Sequence, residues 1–564
     1  MKNKLRLASL AIVMSVGYSY LNSAQAQSQG WSEGTKLEDA EVVVEKSRVI
    51  ELPQAARNYE KFRINPPEIG DRNVRYRFVD YRLPSQDIEL QMRVLTIKQD
   101  ELTKLYGNYL KGGLGNYGTL YLKGYFHNKR SDVASYGAQV SHVSSSRGPV
   151  DKDNSAVSQS EISVNGERYL KGFTVGGDLK YGREKHYFYG YEPLFENDVD
   201  VDRDTIKQVF NRIQAEGFFH NQTSGAPFLY KTNARLRYIN DNYDMSESNF
   251  AVDFRSEYGI DEESAFKVDA DLSVLSHKDS ADVSRGLFKL HAAYERKLNA
   301  LRLTLGAKVA YTGDDVNSAR NFNVYPMVQV GLEPVEGNLL IYGGIGGDLQ
   351  RTTLYELTKE NPYLAPNVQV ADVNKGLEIY GGFQANVANY VHLNGRVAYQ
   401  NFRNLYFFNN SEADPSKFEL LYDDGVTNVF NVFAEASFNY SDEIRLGLKA
   451  DYNSYNTDEL EKPFYRPELM ASVYGTYNFY DKILFNSELY YIGDSFGRIT
   501  RPDGTIALRQ TDSIIDLNLK ADYKFTNNFT VFLMANNIFG KKYERFVNYP
   551  NKSVNLIGGV TYSF

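Results

Sequence analysis

The chain has 564 residues and a net charge of −8, with 44 Tyr, 33 Phe, one Trp and no Cys. The lack of Cys excludes a disulfide framework, a thiol nucleophile and a lipoprotein anchor, and net acidity without basic clusters argues against nucleic acid as the main partner. Past the N-terminal stretch there is no apolar run of about 18 residues, which excludes helical membrane spans but leaves a strand-built barrel open, because its two alternating faces average to a polar hydropathy.

The first element in chain order is MKNKLRLASLAIVMSVGYSYLNSAQA, with Lys2, Lys4 and Arg6, a short apolar stretch, and Ala24-Gln25-Ala26. This is the layout of a cleaved secretory signal over residues 1–26, with the mature chain starting at Gln27. Residues 27–104 follow as an N-terminal segment placed in the periplasm or the lumen. It contains the short apolar stretch Glu41, Val42, Val43, Val44 and Glu45, and the Pro- and charge-rich PPEIGDRNVRYRFVDYRLP. No run of short strands is legible there.

From residue 105 to the end one unit recurs: ten to fifteen residues of alternation, a polar turn, then another alternating run. In AFKVDADLSV, Phe266, Val268, Ala270 and Leu272 oppose Lys267, Asp269 and Asp271. In ALRLTLGAKVAY, Leu301, Leu303, Leu305, Ala307 and Val309 oppose Arg302, Thr304 and Lys308. EIRLGLKADY sets Ile444, Leu446 and Leu448 against Arg445, Lys449 and Asp451, and IIDLNLKADYKF sets Ile515, Leu517 and Leu519 against Asp516, Lys520 and Asp522. Strand side chains alternate between faces, so each run has one apolar and one ionised face. Strands of a soluble sandwich average about 5 to 6 residues, whereas a tilted membrane strand needs about 9 to 11; these runs have the second length. Connections alternate too. Lys297-Leu298-Asn299, Tyr440-Ser441-Asp442, Tyr480-Asp481-Lys482 and Phe525-Thr526-Asn527 are tight, while 185–204, 351–374, 406–425 and 495–509 are long. Tight turns on one side and long loops on the other describe an outer-membrane barrel.

The expected fold is all-β: a transmembrane antiparallel β-barrel over 105–564 of about 22 strands, a size associated with plugged outer-membrane transporters. An even count puts both barrel ends on the periplasmic side. The closing run SVNLIGGVTYSF presents Val554, Leu556, Val560, Tyr562 and Phe564 on one face, with Ile557 alone out of phase.

Catalytic and metal chemistry is not legible. The seven His are scattered, with no two at a metal-ligand spacing. Asp198-x-Asp200-x-Asp202 imitates the start of a calcium loop, but Arg203 stands where the turn wants Gly and Val209 where a bidentate Glu belongs. No nucleophile–base or paired-carboxylate constellation stands out, so the reading is a protein that is not an enzyme, with no cofactor and no metal site.

Two stretches give the barrel a family likeness. Asn536-Asn537-Ile538-Phe539-Gly540-Lys541-Lys542-Tyr543, just before the closing strand, and Asn361-Pro362-Tyr363-Leu364-Ala365-Pro366 in a mid-barrel loop resemble segments of TonB-dependent receptors. The terminal Phe564, with Tyr562, resembles the signal read by the barrel assembly machinery. The resemblance implies a Gram-negative outer-membrane location, contact with outer-membrane lipid, and a role in transport. It also likens Glu41–Glu45 to the box through which TonB grips such receptors, a segment able to add a strand to a partner's sheet. The globular plug of the family has no counterpart in 27–104, so the chain resembles a receptor whose plug is missing or reduced. An unfilled barrel of this size encloses a wide aqueous hole, and three things can narrow it: the N-terminal segment, inward-folded loops, or another outer-membrane protein. The competing reading is a non-conducting scaffold or accessory subunit of an outer-membrane protein complex.

Overall fold

The computed structural model describes residues 106–564 apart from 130, 192–200, 222–225, 315, 317–319, 442 and 501–504. The expected signal, the segment 27–104 and the stretch Glu41–Glu45 lie outside the described residues.

The alternating runs form one antiparallel sheet of 22 strands that closes on itself. Neighbours in sequence pair as neighbours in space, and the first strand, Asn108–Gly115, pairs with the last, Asn555–Ser563, in the register Tyr109↔Ser563 to Gly115↔Ile557. Closure leaves no sheet edge unpaired, which a hydrocarbon environment requires. The strands reach 17 residues in Asp282–Leu298.

The two faces separate as the alternation dictates. Leu446 and Leu448 are 49% and 45% exposed and Leu519 is 42% exposed, all on the outer surface, whereas Lys520 faces inward and pairs with Asp522 at 3.1 Å. Leu519→Arg is therefore expected to cost about 2–4 kcal/mol at mid-bilayer depth, Leu446→Arg, paired with Phe438 near the short-turn rim, less, and the inward Lys449→Ala far less than Leu519→Arg. Equilibrium refolding into lipid measures all three; equal losses on the two faces would contradict the assignment. Ile557, out of phase in the sequence, is buried on the lumenal side, where Gly113 leaves room for it: a Cβ at Gly113 would lie 3.2 Å from Ile557 and 2.8 Å from Phe532.

Both chain ends of the barrel lie at the rim of short turns. The turn 480–482 carries Tyr480 and Asp481 at φ of 51° and 53°, the left-handed geometry whose twist suits a tight hairpin. Exposed aromatics gather there: Phe438 stacks on Tyr440 with centroids 5.8 Å apart, Tyr390 meets Phe438 at 5.7 Å, and Phe479 meets Tyr480 at 4.6 Å. Such rings suit a membrane–water interface, apolar on one side and wet on the other. The opposite rim carries the long connections, and inside them lie three small hairpins: Tyr406–Asn410 with Phe418–Tyr422, Phe496–Thr500 with Ile506–Gln510, and Glu544–Phe546 with Tyr549–Pro550.

Candidate functional site: the lumen and the loop core at its mouth

The inward positions build a wall of ion pairs. Arg212 and Glu184 approach to 2.5 Å, Arg235 and Glu216 to 2.8 Å, and Arg255 and Asp271 to 2.6 Å. Farther round, Lys308 and Lys289 share Asp348 at 2.9 and 3.3 Å, and Glu378 is held by Lys375 at 2.9 Å and Arg396 at 2.5 Å. Alternation alone places these groups inward. Their pairing gives a polar lining suited to water and polar solutes.

At the long-connection rim the pattern inverts, and a hydrophobic core stands in place of water. Strand ends supply Phe210, Ile239, Val373, Phe402 and Val429, and the connections supply Leu357, Leu364, Phe407, Phe418, Phe464, Phe546, Val547 and Tyr549, all buried. The contributing connections are 351–372, 404–426, 457–468 and 537–554, with 188–206 packed against them through Tyr189. Aromatic rings make the joint. Tyr363 stacks on Tyr549 with centroids 3.8 Å apart, and Tyr189 meets Tyr549 at 4.8 Å. Phe418 meets Phe546 at 5.2 Å and Tyr465 at 5.5 Å. Gly190 is dictated by this approach, because a Cβ there would lie 2.4 Å from the Tyr549 ring.

The segment Asn361–Pro366 sits at the centre of this core. Phe418 donates its N–H to the Tyr363 carbonyl at 2.8 Å, and Ala365 donates to the Phe418 carbonyl at 2.7 Å, so the segment is bound by backbone as well as by rings. Before it, the helix Leu354–Glu360 reaches the barrel wall. Its first N–H groups, on Leu354 and Tyr355, donate to the Glu247 carboxylate at 2.9 and 3.1 Å, while the N-cap Thr353 hydroxyl accepts from the Glu356 N–H at 3.2 Å. Thr358 accepts from Arg212 at 2.8 Å and Glu356 pairs with Arg237 at 2.7 Å. The second family-like stretch lies beside the closing strand: Asn537 donates to the Lys541 carbonyl at 3.1 Å, and the Tyr543 and Tyr490 hydroxyls meet at 2.8 Å.

One carboxylate stitches two connections together. Asp423 accepts from the backbone N–H groups of Asp458, Glu459 and Leu460 at 2.8, 2.8 and 3.2 Å and from the Thr427 hydroxyl at 3.0 Å. Burial pushes this carboxyl up, but the hydrogen bonds prevail and hold it below the ordinary Asp range. A depressed folded value means the contribution is fully present above the unfolded pKa of about 3.9 and is lost as pH falls through the lower folded value. Amide protection in 457–468, corrected for intrinsic exchange, is expected to hold from pH 7 to about 4 and to fall below it, and Asp423→Ala is expected to remove about 2 kcal/mol of it at pH 7. Protection unchanged down to pH 2 would contradict the role.

Tyr562 and Phe564 occupy the closing strand and its end. Both point outward with rings stacked at 5.8 Å, and the Phe564 N–H donates to the Asn108 carbonyl at 2.9 Å, tying the last residue to the first strand. The loop core is what the sequence reading missed. Its signals were the aromatic clusters YFFNN, NPYLAP and ERFVNYP inside connections that otherwise read as polar loops.

No protein-family profile and no curated protein sequence matches the chain. Solved structures do. The FrpB iron transporter from Neisseria meningitidis (F3-3 variant) is 12% identical over 82% of this chain and 82% of its own, with a TM-score of 0.62. The ferripyoverdine receptor of the Pseudomonas aeruginosa outer membrane, bound to ferripyoverdine, is 12% identical over 82% of this chain and 72% of its own, also at 0.62. The ferric-catecholate import receptor Fiu from E. coli K12 is 11% identical over 82% of each chain, at 0.61. The likeness is one of fold: the described residues form a closed 22-strand barrel similar to those of these proteins.

Proposed function

We propose that the protein is an outer-membrane uptake receptor of the TonB-dependent type, lodged in the outer membrane of a Gram-negative cell, whose mouth is closed by its own loops. The observation that carries this reading is the hydrophobic core joining five long connections at one rim of a receptor-type barrel with an ion-paired lumen. A barrel lined for polar solutes yet sealed by apolar packing is built to admit cargo only when the seal is moved. In this reading the loop core does the work of occlusion that a folded plug would do, and residues 27–104 supply the handle.

Energy for opening comes from TonB, gripping the stretch Glu41–Glu45 by strand addition. Val43→Pro removes a backbone donor from the middle of that stretch. Capture of the detergent-solubilised receptor by a purified TonB C-terminal domain is expected for the wild type and lost for Val43→Pro, with the barrel of both still resistant to unfolding in unheated detergent. Equal capture of the two, or of neither, would contradict TonB coupling. A barrel that arrives firmly bound to other outer-membrane proteins and never conducts would favour the scaffold reading instead.

A further inference from the structure

The outward face of the wall formed by Val157–Leu170, Phe173–Tyr187 and Lys207–Asn221 changes character along its height. From the short-turn rim upward it is apolar. Phe173 packs on Phe219 with centroids 5.1 Å apart, and above them Ile162, Val164, Leu179, Tyr181 and Ile213 are all exposed. Past Tyr181 the same face turns basic. Arg183 and Lys185 are its next two outward residues, since Glu184 between them points inward to Arg212. Lys207 stands opposite Tyr187 in the register, and Arg203, from the connection 188–206, lays its guanidinium over the Tyr187 ring with Cζ 4.8 Å from the centroid.

These four cations repel one another and lack matching anions. Lys185 feels the positive charges of Arg203, Lys207 and Arg183. Arg183, Lys185 and Arg203 form no ion pair among the described residues, and the Nε of Arg203 is buried without a hydrogen-bond partner; Lys207 has the exposed Asp204 at 3.7 Å. Like charges gathered this way favour an anion that joins them. Sideways the row continues as neutral polar groups: Ser160 stands opposite Arg183, and its hydroxyl meets His142 Nδ1 at 2.8 Å. The cluster is local. At the matching height on Leu301–Thr312 and Phe322–Val335 the outward residues are Tyr311 and Phe322, 51% and 63% exposed.

Height identifies the partner. At about 3.3 Å per residue and a tilt of about 40°, the run from Phe173 to Arg183 climbs about 25 Å, the height of a barrel's apolar band. Arg183 therefore stands where hydrocarbon gives way to headgroups, on the side of the long connections. We infer that this cluster binds the phosphate groups of an anionic lipid of the outer leaflet, with Arg183 and Lys185 as the main contacts, Lys207 and Arg203 beside them, and Ile162, Leu179 and Tyr181 under the acyl chains. Guanidinium and ammonium groups give phosphate charge-assisted hydrogen bonds, and cations at a membrane surface attract anionic headgroups. The inference rests on the outer-membrane placement proposed above and on no transport step, so it and TonB coupling fail separately.

The test uses the full-length protein, purified in non-ionic detergent and freed of lipid. It is titrated with bisphosphorylated lipid A, with fully dephosphorylated lipid A and with phosphatidylethanolamine, and native mass spectrometry counts the lipid bound. Bisphosphorylated lipid A is expected to bind, with the other two about tenfold weaker or worse, and its binding is expected to weaken as salt is raised. Arg183→Gln combined with Lys185→Gln is expected to weaken it about tenfold or more, while Lys297→Gln, an exposed cation at the short-turn rim, leaves it unchanged. Equal binding of dephosphorylated lipid A or phosphatidylethanolamine, or wild-type affinity in the double variant, would overturn the site. Displacement of the lipid by equimolar inorganic phosphate would overturn the lipid as its occupant. No lipid A bound at all would mean that the acids of 192–200 answer these cations instead. Should the double variant fail to fold, the two single variants and the lipid comparison on the wild type decide the matter.

Discussion

Arg285→Ala is expected to destabilise the protein by about 3–5 kcal/mol, because it removes the guanidinium shared by two buried carboxylates and leaves Asp372 with the longer 3.6 Å approach of Arg351. Arg285 sits near the long-connection end of Asp282–Leu298 with 4% of its surface exposed. One guanidinium nitrogen lies 3.2 Å from Asp372 and 3.7 Å from Asp314, and the other donates to the Thr352 carbonyl at 2.8 Å. Both acids are tied into connections. Asp372 also accepts from the Thr312 hydroxyl at 2.9 Å, and Asp314 accepts the Asp372 N–H at 2.5 Å. Burial already pushes the Asp314 carboxyl up, and removing the guanidinium deepens that penalty. Arg285→Lys, which keeps the charge but loses the fork, is expected to fall between. Equilibrium refolding into lipid, with amide protection of 351–372 as the local readout, measures the loss; a cost below about 1 kcal/mol would contradict the anchoring role.

Phe418→Ala is expected to cost the loop core about 3–5 kcal/mol, the range for deleting a fully buried Phe. Phe418 has none of its surface exposed and touches the rings of Tyr465, Phe546 and Tyr549, so its loss opens a cavity shared by three connections. Its backbone bonds to Tyr363 and Ala365 survive the substitution. The damage therefore falls on the mouth rather than on the barrel. Limited proteolysis of intact, inserted protein is expected to cut within 404–426 much faster in the variant while the refolding midpoint of the barrel changes little. Unchanged cleavage would mean that the connections are held by something other than this core.

The barrel was legible in the sequence because its determinants are local. Leu446 against Lys449 and Leu519 against Lys520 set the faces through a period of two, and turns such as 480–482 are too short to be anything but hairpins. The even strand count and the closing role of the last run follow from the same period. The loop core was not legible, because it depends on which distant residues meet. Nothing local tells that Tyr189, Tyr363 and Tyr549 converge, or that Asp423 will find the N–H groups of Asp458 to Leu460. The hairpins inside the long connections were likewise read as loop, since runs of five residues such as Tyr406–Asn410 carry too little periodicity to register. The family-like segment Asn361–Pro366 marked the right place, but its sequence does not reveal that it faces into a core.

The most direct test of the account is single-channel conductance in planar lipid bilayers of a barrel lacking residues 27–104. If the loop core closes the mouth, this shortened protein remains nearly silent, and Phe418→Ala introduced into it produces frequent large openings. A shortened protein that conducts freely with its loops intact would mean that the N-terminal segment, and not the loop core, closes the barrel.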